Sequence, residues 1–174
     1  MRYFKWLICL LIAFSLCLSQ ARASTPEKLL SHFQEEAKRF DVPLLVLMAI
    51  AKTESKFNPW ALNIAGKSYQ PKTKEEALAI LKKNRKKSYD VGIMQVNSWW
   101  LKKFNLPDSL AIEPSINIMM GAYILNHEIS KRGGKLSWQA IGAYHSPTYR
   151  RQLNYYRQIN KSLKYFEKVL VGEK

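Results

Sequence analysis

The stretch Leu-Leu-Val-Leu-Met-Ala-Ile-Ala-Lys-Thr-Glu-Ser, residues 44–55, decides the fold class. Within it, Leu44, Leu47 and Ala51 recur at helical spacing and therefore share one apolar stripe. A proline precedes the stretch and an Asn-Pro pair follows it, and both interrupt helices. The pattern predicts a helix over about residues 43–56 whose stripe faces a core.

Glu54 continues the same apolar stripe, so we expect its side chain to point inward. Burial disfavours an ionised carboxylate, and so does the C-terminal end of a helix. Both effects predict a raised pKa and an acid that is still protonated near neutral pH, as protonation of a glycosidic oxygen requires. Two structural alternatives are a buried Glu paired with an Arg or a backbone amide, and a Glu at a frayed helix end that reaches solvent.

The rest of the chain also has helical signals, with at most one small β element. Thr73 followed by Glu76 is a capping box, and Gly133-Gly134 is a helix stop. Residues 60–72 are predicted to form a loop or short hairpin. The other predicted helices cover approximately residues 26–39, 73–87, 98–104, 114–131, 137–144 and 146–171. The fold class is therefore predicted to be mainly α, in one domain.

The N-terminus has the layout of a secretory signal peptide over residues 1–23, with a basic start and an apolar run from Trp6 to Leu18. Ala21-Arg22-Ala23 supplies the small-x-small cleavage pattern. We expect residues 24–174 to form one exported, periplasmic domain without a membrane span. An uncleaved anchor is the alternative. Both cysteines, at positions 9 and 17, lie in this leader, so the mature domain would contain no disulfide.

The charge balance is strongly basic, with 28 Lys and Arg residues against 13 Asp and Glu residues. Removal of the leader, with Arg2, Lys5 and Arg22, leaves 25 basic and 13 acidic residues and a net charge of +12. Such a domain favours polyanions. Export favours the acidic cell wall or a membrane surface, and no helix-turn-helix or zinc pattern supports nucleic acid as a partner.

Several short motifs occur in a characteristic order across roughly residues 28–160. They are Glu-Ser-Lys-Phe-Asn-Pro at 54–59, Gly-Ile-Met-Gln-Val-Asn at 92–97, Glu-Pro-Ser-Ile-Asn-Ile-Met-Met-Gly at 113–121, Ala-Tyr-His-Ser at 143–146, and a later Tyr155 or Tyr156. Together they resemble the lytic transglycosylase (SLT) domain family, which is related to goose-type lysozyme. The resemblance implies a lysozyme-like α-rich fold that cleaves the glycan strands of peptidoglycan.

The resemblance also implies the site residues. Glu54 would be the catalytic acid and base. Substrate binding or catalytic support would come from Ser55, Met94, Gln95, Asn97, Tyr144 and Tyr155. Gln95 could instead close local backbone groups, Tyr144 could be a core residue, and Met94 fits either a groove wall or the core. Any of Trp60, Trp99 and Trp100 could stack on sugar rings or pack in the core.

Two positions depart from the family pattern. His145 stands where Asn is usual, and Pro147 stands near a usual Gly. Residues 67–90 resemble an insertion found in small transglycosylases of conjugation, type IV secretion, pilus and type III invasion systems. That resemblance implies a task of opening the wall locally for an envelope-spanning machine, with components of that machine as possible partners.

The reaction implied by the family is cleavage between N-acetylmuramic acid and N-acetylglucosamine with closure of a 1,6-anhydro ring, which needs one carboxylate. An ordinary hydrolase needs two carboxylates, and Asp90 is a candidate for the second. We favour the interpretation of Asp90 as a turn or capping residue before Gly92. A muramidase hydrolase and a catalytically silent wall-binding module are the competing functions. The three histidines have no metal spacing, so we expect no metal and no cofactor.

Overall fold

The computed structural model describes residues 26–170, so the predicted leader lies outside the described residues. The helices are α1 (Pro26–Arg39), α2 (Leu44–Ser55), α3 (Lys74–Lys83), α4 (Ser98–Lys103), α5 (Asp108–Ala111), α6 (Pro114–Ser130), α7 (Trp138–His145) and α8 (Tyr149–Leu170). The strands are β1 (Leu62–Ile64), β2 (Lys67–Tyr69), β3 (Tyr89–Val91) and β4 (Val96–Asn97). This confirms the predicted mainly α fold with a small β element.

Helix α2 lies at the centre of the helical core. It is apolar on nearly every side, and Leu47, Ile50 and Ala51 are fully buried. The long helix α8 packs against both α2 and α7, and α6 packs against α1 and α7. Because α8 is amphipathic, it buries one side in this core and exposes the other side to solvent. The segment predicted to decide the fold therefore has the buried position that its pattern indicated.

Helix α2 ends within one residue of the predicted end, which confirms its bounds. The Asn-Pro pair was expected to stop it, but the left-handed backbone conformations of Lys56 and Phe57 already end it before that pair. The Lys56 amide donates to carbonyl groups of the last helical turn, which closes the helix as a C-cap does. The Phe57 ring packs edge-on against Phe33 and Phe166. This reversal, which directly follows Glu54, directs the chain towards the sheet.

The sheet is antiparallel and has the strand order β2-β1-β3-β4. The hairpin of β1 and β2 confirms the prediction for residues 60–72. Helix α3 ends at Lys83, four residues before the predicted end, because the side chain of Asn84 bonds back to the Ile80 carbonyl. Helix α8 begins at Tyr149 because Ser146 is extended. Within residues 26–170, no helix is both long and apolar enough to cross a membrane.

Candidate active site

A cleft of about 650 Å³ lies between the sheet and the helices, and the predicted acid lines it. Its lining residues are Glu54, Leu62, Asn63, Gly66, Ser68, Gln70, Asp90, Gln95, Val96, Asn97, Trp99, Trp100, Ile124, Ala143, Tyr144, His145, Ser146, Pro147 and Arg151. Most of these side chains are polar, as a site for a hydrated sugar polymer requires. We call the α2, α7 and α8 side of the cleft the helical wall and the strand side the sheet wall.

Glu54 lies in the last turn of α2 with its side chain only 14% exposed, so the predicted inward orientation is correct. Its Oε1 lies 3.7 Å from Nδ1 of His145. Among residues 26–170, His145 is the only cationic side chain within ion-pairing distance of this carboxylate. The Arg partner considered as a structural alternative is therefore not found. The carboxylate is shielded but still faces the cleft.

Two phenols accompany Glu54 on the helical wall, with Tyr155 buried and Tyr144 half-buried. The Tyr144 hydroxyl donates a hydrogen bond of 2.8 Å to the Met94 carbonyl. The Tyr155 hydroxyl is buried and forms no hydrogen bond of normal geometry among the described residues. Burial first, and then the charge of Glu54, raise the pKa of both phenols well above the usual value, and for Tyr155 a hydrogen-bonding interaction with Glu54 adds to the rise. Both side chains therefore stay neutral and can act only as uncharged neighbours or donors at neutral pH.

His145 occupies the position where the resemblance led us to expect Asn. Its imidazole stacks on the Tyr155 ring at 4.6 Å, with the two planes 5° apart. The polar interaction with Glu54 is the main cause that raises the pKa of His145, and the charge of Asp90 adds to it. Partial burial and the nearby Arg151 act in the opposite direction. His145 therefore takes up a proton more readily than an isolated histidine.

Asp90 lies within strand β3, so its interpretation as a turn or capping residue was wrong. Its carboxylate lines the cleft and accepts a hydrogen bond of 2.7 Å from the Asn97 side chain. Burial raises the pKa of Asp90, the bond from Asn97 partly offsets this, and the charge of Glu54 raises it further. The two carboxylates are therefore electrostatically coupled across one cleft.

Gln95 has a left-handed backbone conformation, and its Nε2 donates to the carbonyls of Ala61 and Gly92 at 2.9 Å each. Both amide protons are thus used in closing local backbone groups, which is one of the two roles considered for this residue. Gln95 also lines the cleft, where only its Oε1 remains to contact a sugar. Asn97 likewise holds local structure, since its Oδ1 accepts from the Trp99 amide.

Ser55 and Met94 line no part of the cleft. Ser55 is buried, and its hydroxyl donates to the Ile93 carbonyl at 2.7 Å, which joins α2 to the loop that carries Gln95. The Met94 side chain is fully buried in the core, because Gly121 leaves room for it: a Cβ there would lie 2.6 Å from the Met94 methyl group. The sequence offered Met94 as a candidate for direct contact with the substrate, but its buried side chain has a packing role instead.

Asn117 organises the same loop and was missed as a functional residue. It is fully buried in α6, and its Oδ1 accepts from the Met94 amide at 2.8 Å. Its Nδ2 donates to the Val91 and Ala111 carbonyls. Gly92 has a φ of +81°, and a Cβ there would lie 2.5 Å from the Asn117 side chain. The sequence did contain a signal for this role, because Asn117 is the Asn of the Glu-Pro-Ser-Ile-Asn motif.

The tryptophans divide between the cleft and the core. Trp99 lines the cleft and is 58% exposed, and Trp100 lines it from an aromatic cluster with Phe104. Trp60 packs against the core instead. Trp99 is therefore the most accessible ring for stacking on a sugar. Within residues 26–170, no three His, Asp or Glu side chains lie close enough together to hold a metal ion.

Comparison with known proteins identifies the family of this domain. Residues 31–165 match the model of the transglycosylase SLT domain family. Invasion protein IagB of Salmonella typhi is 32% identical over 115 residues, which cover 64% of this chain and 59% of that protein. Protein IpgF of Shigella sonnei is 28% identical over 67% of this chain and 65% of its own length.

Type IV secretion system protein virB1 of Brucella abortus is 32% identical over 56% of this chain and 42% of its own length. The matched region thus spans about three fifths of the length of the Salmonella relative, at 59%. The family match, in contrast, covers most of the present chain, including the cleft-lining residues from Glu54 to Arg151. The chain therefore belongs to the transglycosylase SLT domain family.

Proposed function

We propose that this chain is a peptidoglycan lytic transglycosylase that cleaves the β-1,4 bond between N-acetylmuramic acid and N-acetylglucosamine. The observation that carries the proposal is the position of Glu54: a shielded carboxylate that faces a polar cleft, in a domain of the SLT family. A cleft of this shape suits an extended polymer, and the exposed Trp99 ring at its edge suits stacking on a sugar.

In the proposed reaction, protonated Glu54 gives its proton to the glycosidic oxygen as the bond from that oxygen to C1 of the muramyl sugar breaks. The resulting carboxylate then accepts the proton of the muramyl 6-hydroxyl while O6 bonds to C1. Glu54 regains the proton that it donated, and no water is consumed. One carboxylate therefore suffices for both halves of the reaction.

The surroundings of Glu54 support this use of a single group. The phenols of Tyr144 and Tyr155 exclude water from one side of the carboxylate and stay neutral. The Tyr155 hydroxyl already interacts with Glu54 but forms no hydrogen bond of normal geometry among the described residues, so it can donate to the carboxylate or to charge that develops on the sugar. A preorganised neutral donor stabilises such charge without any need for rearrangement.

A muramidase hydrolase is the second candidate, and Asp90 is the observation that favours it. Its carboxylate lines the same cleft, and its pKa is raised in part by the charge of Glu54. A hydrolase would use the second carboxylate as a nucleophile or to activate water. However, Asp90 is already bonded to Asn97, which suits a positioning role. We therefore place the chemistry on Glu54 alone.

We further propose that the enzyme acts in the periplasm and opens the wall locally for a secretion, conjugation or pilus apparatus. The names of the relatives support this task, since one is called an invasion protein and another a type IV secretion system protein. The leader-like sequence of residues 1–23 supports export. Components of such an apparatus would then be its protein partners.

The test is digestion of purified peptidoglycan by the unsubstituted chain, Glu54→Gln and Asp90→Asn, with mass spectrometry of the muropeptides. Anhydro-muramyl products from the unsubstituted chain and Asp90→Asn, and none from Glu54→Gln, are expected. Hydrated reducing ends that require both carboxylates would replace the proposal with a hydrolase. Binding to peptidoglycan without any products would indicate the wall-binding module.

A further inference from the structure

The exposed side of α8 carries a line of positive charge that the proposed reaction does not use. Its members follow spacings of seven, four, three and four residues, which place them on one face of a helix. They are Arg150, Arg157, Lys161, Lys164 and Lys168, and all are exposed. At the rise of an α-helix they extend over roughly 27 Å. We call these five residues the α8 basic stripe.

The positive charge of the α8 basic stripe is not neutralised by ion pairs with the other described residues. Glu167 is the only acidic residue of α8, and it lies off the line of the stripe. No Asp or Glu carboxylate in residues 26–170 lies within ion-pairing distance of any stripe member. Like charges three and four residues apart destabilise a helix rather than support it. Only Lys168, in the last turn, gains from the helix dipole, so the stripe as a whole does not serve the stability of α8.

The position of the stripe connects it to the cleft. Arg151, the neighbour of the first stripe residue, lines the cleft together with Pro147 on the preceding loop. From this rim, the stripe follows the exposed side of α8, while the opposite side of the helix packs beside the end of α2, where the Ser162 hydroxyl contacts that of Thr53 next to Glu54. Groups that project from a polymer in the cleft towards α8 would therefore meet the positive charge of this helix.

We propose that the α8 basic stripe binds the carboxylates of the peptide stems attached to the glycan, outside the cleft where the bond is cut. This inference rests on the proposed function, which supplies the polymer. The stems project from the glycan and carry free carboxylates, so a row of cations on one rigid helix complements them in sign and in extension. The stripe would hold the enzyme on the wall between cleavage events.

An anionic membrane fits the stripe less well. A helix that lies on a bilayer inserts an apolar face beside its basic face. The apolar face of α8 is already buried against the core, with Tyr155 and Ile159 at its centre. The exposed large apolar side chains of α8 lie towards its two ends, at Tyr149 and at Tyr165, Val169 and Leu170, and none lies between residues 150 and 164, so no apolar face accompanies most of the stripe for insertion.

The experiment measures binding to intact peptidoglycan sacculi in a Glu54→Gln background, which prevents digestion during the assay. The stripe variant combines Arg157→Gln, Lys161→Gln, Lys164→Gln and Lys168→Gln. The control variant removes the same charge from another exposed cluster, outside the cleft lining, by Lys82→Gln, Lys83→Gln, Lys86→Gln and Lys87→Gln. At low salt we expect the stripe variant to bind at least about tenfold more weakly, and the control to change by less than about twofold.

Chemical amidation of the stem carboxylates should remove the difference between the background protein and the stripe variant. Equal losses in the stripe and control variants would show only a general charge effect and would overturn the inference. So would stripe-dependent binding to phosphatidylglycerol vesicles without stripe-dependent binding to sacculi. Circular dichroism and thermal unfolding confirm that each variant is folded. Digestion by the unsubstituted chain tests the proposed function separately, because the binding assay needs no turnover.

Discussion

The two walls of the cleft differ in how far their polar groups are already bonded. On the sheet wall, Asp90 and Asn97 bond to each other, and the amide protons of Gln95 bond to backbone carbonyls. On the helical wall, Glu54 interacts with His145 at 3.7 Å and with the Tyr155 hydroxyl, but among the described residues neither interaction is a hydrogen bond of normal geometry. The sheet wall therefore holds its shape, while the helical wall keeps polar groups available for a substrate.

This difference follows from how each wall is built. The strands of the sheet wall are two or three residues long, so they need side-chain bonds to hold their register. The helical wall is made of α2, α7 and α8, whose backbone groups are satisfied internally. A helix can therefore project a side chain into the cleft without using it to support the backbone.

The largest expected effect compares the two carboxylates. Glu54→Gln should lower turnover of peptidoglycan by roughly 10²–10⁴-fold, because it removes the general acid. Asp90→Asn keeps the size of the side chain and a polar partner for Asn97, so we expect less than about a tenfold loss, which is what the net contribution of one hydrogen bond, about 1 kcal/mol, would allow. Turnover is measured as anhydro-muropeptides released per enzyme. Equal losses of turnover from both variants would show that Asp90, on the sheet wall, also takes part in the reaction.

The next prediction concerns the support of the sheet wall. Asn117→Ala removes three hydrogen bonds at a fully buried site, and leaves the Met94 amide and two carbonyls without their partner. We expect a loss of about 3–5 kcal/mol in the free energy of unfolding, since each buried group left unpaired costs about 1–3 kcal/mol. The measurement is chemical denaturation.

Asn126→Ala is the matched control for Asn117→Ala. Asn126 lies on the same helix but is only half-buried, and its single bond goes to the Phe40 carbonyl. Its loss should cost about 1 kcal/mol. If both substitutions cost the same, the loop around Gly92 would not depend on Asn117, and the sheet wall would be held by its strands alone.

The direction of Glu54 on the helical wall could be predicted from its helical spacing, whereas Gln95 and Asn97 of the sheet wall were expected at the site only from the family resemblance. The stripe through Leu47 and Ala51 placed Glu54 correctly, because helical periodicity fixes the direction of a side chain. The sequence left Tyr155 and Tyr156 as alternatives; Tyr155 is buried beside His145, whereas Tyr156 packs near Trp138. Only the packing of α8 on α7 distinguishes the two positions.

On the sheet wall, the local patterns were too short to be decisive. The strand Lys67–Tyr69 has no alternation of apolar and polar residues, and it is largely exposed. An Asp before a glycine usually indicates a turn, which is why Asp90 was assigned to one. Asn117 was overlooked because an Asn within a helix is ordinarily a surface residue. Its role depends on contacts with residues more than twenty positions away.

A smaller effect on the helical wall should depend on pH. The raised pKa of His145 means that its protonated form is favoured in the folded state, so its pairing with Glu54 stabilises the protein below about pH 6.5. This contribution is lost as the pH rises through the pKa of the folded state. The loss of this pairing in His145→Asn should therefore lower the unfolding free energy near about pH 5.5 by at most about 1 kcal/mol more than at high pH, because the imidazole is half-exposed.

At about pH 8.5 only the loss of the stacking on Tyr155 should remain, since the imidazole is neutral in both states. Denaturation curves at the two pH values measure the difference. In a Glu54→Gln background the pH dependence of the His145→Asn effect should largely disappear, which a double-mutant cycle would detect. An unchanged pH dependence in that background would assign it to Asp90 or to another charge near His145.

The smallest expected effect separates the two phenols of the helical wall. Tyr144→Phe removes a hydrogen bond to the Met94 carbonyl and should cost about 1 kcal/mol of unfolding free energy. Tyr155→Phe removes a buried hydroxyl whose interaction with Glu54 is not a hydrogen bond of normal geometry, so stability should stay within about 0.5 kcal/mol of the unsubstituted protein or rise slightly. If Tyr155 donates to the reacting groups, its loss should still lower kcat. A stability loss from Tyr155→Phe as large as that from Tyr144→Phe would mean that its hydroxyl is bonded in the resting enzyme. The polar groups of both walls would then be hydrogen-bonded to a similar extent before substrate binds.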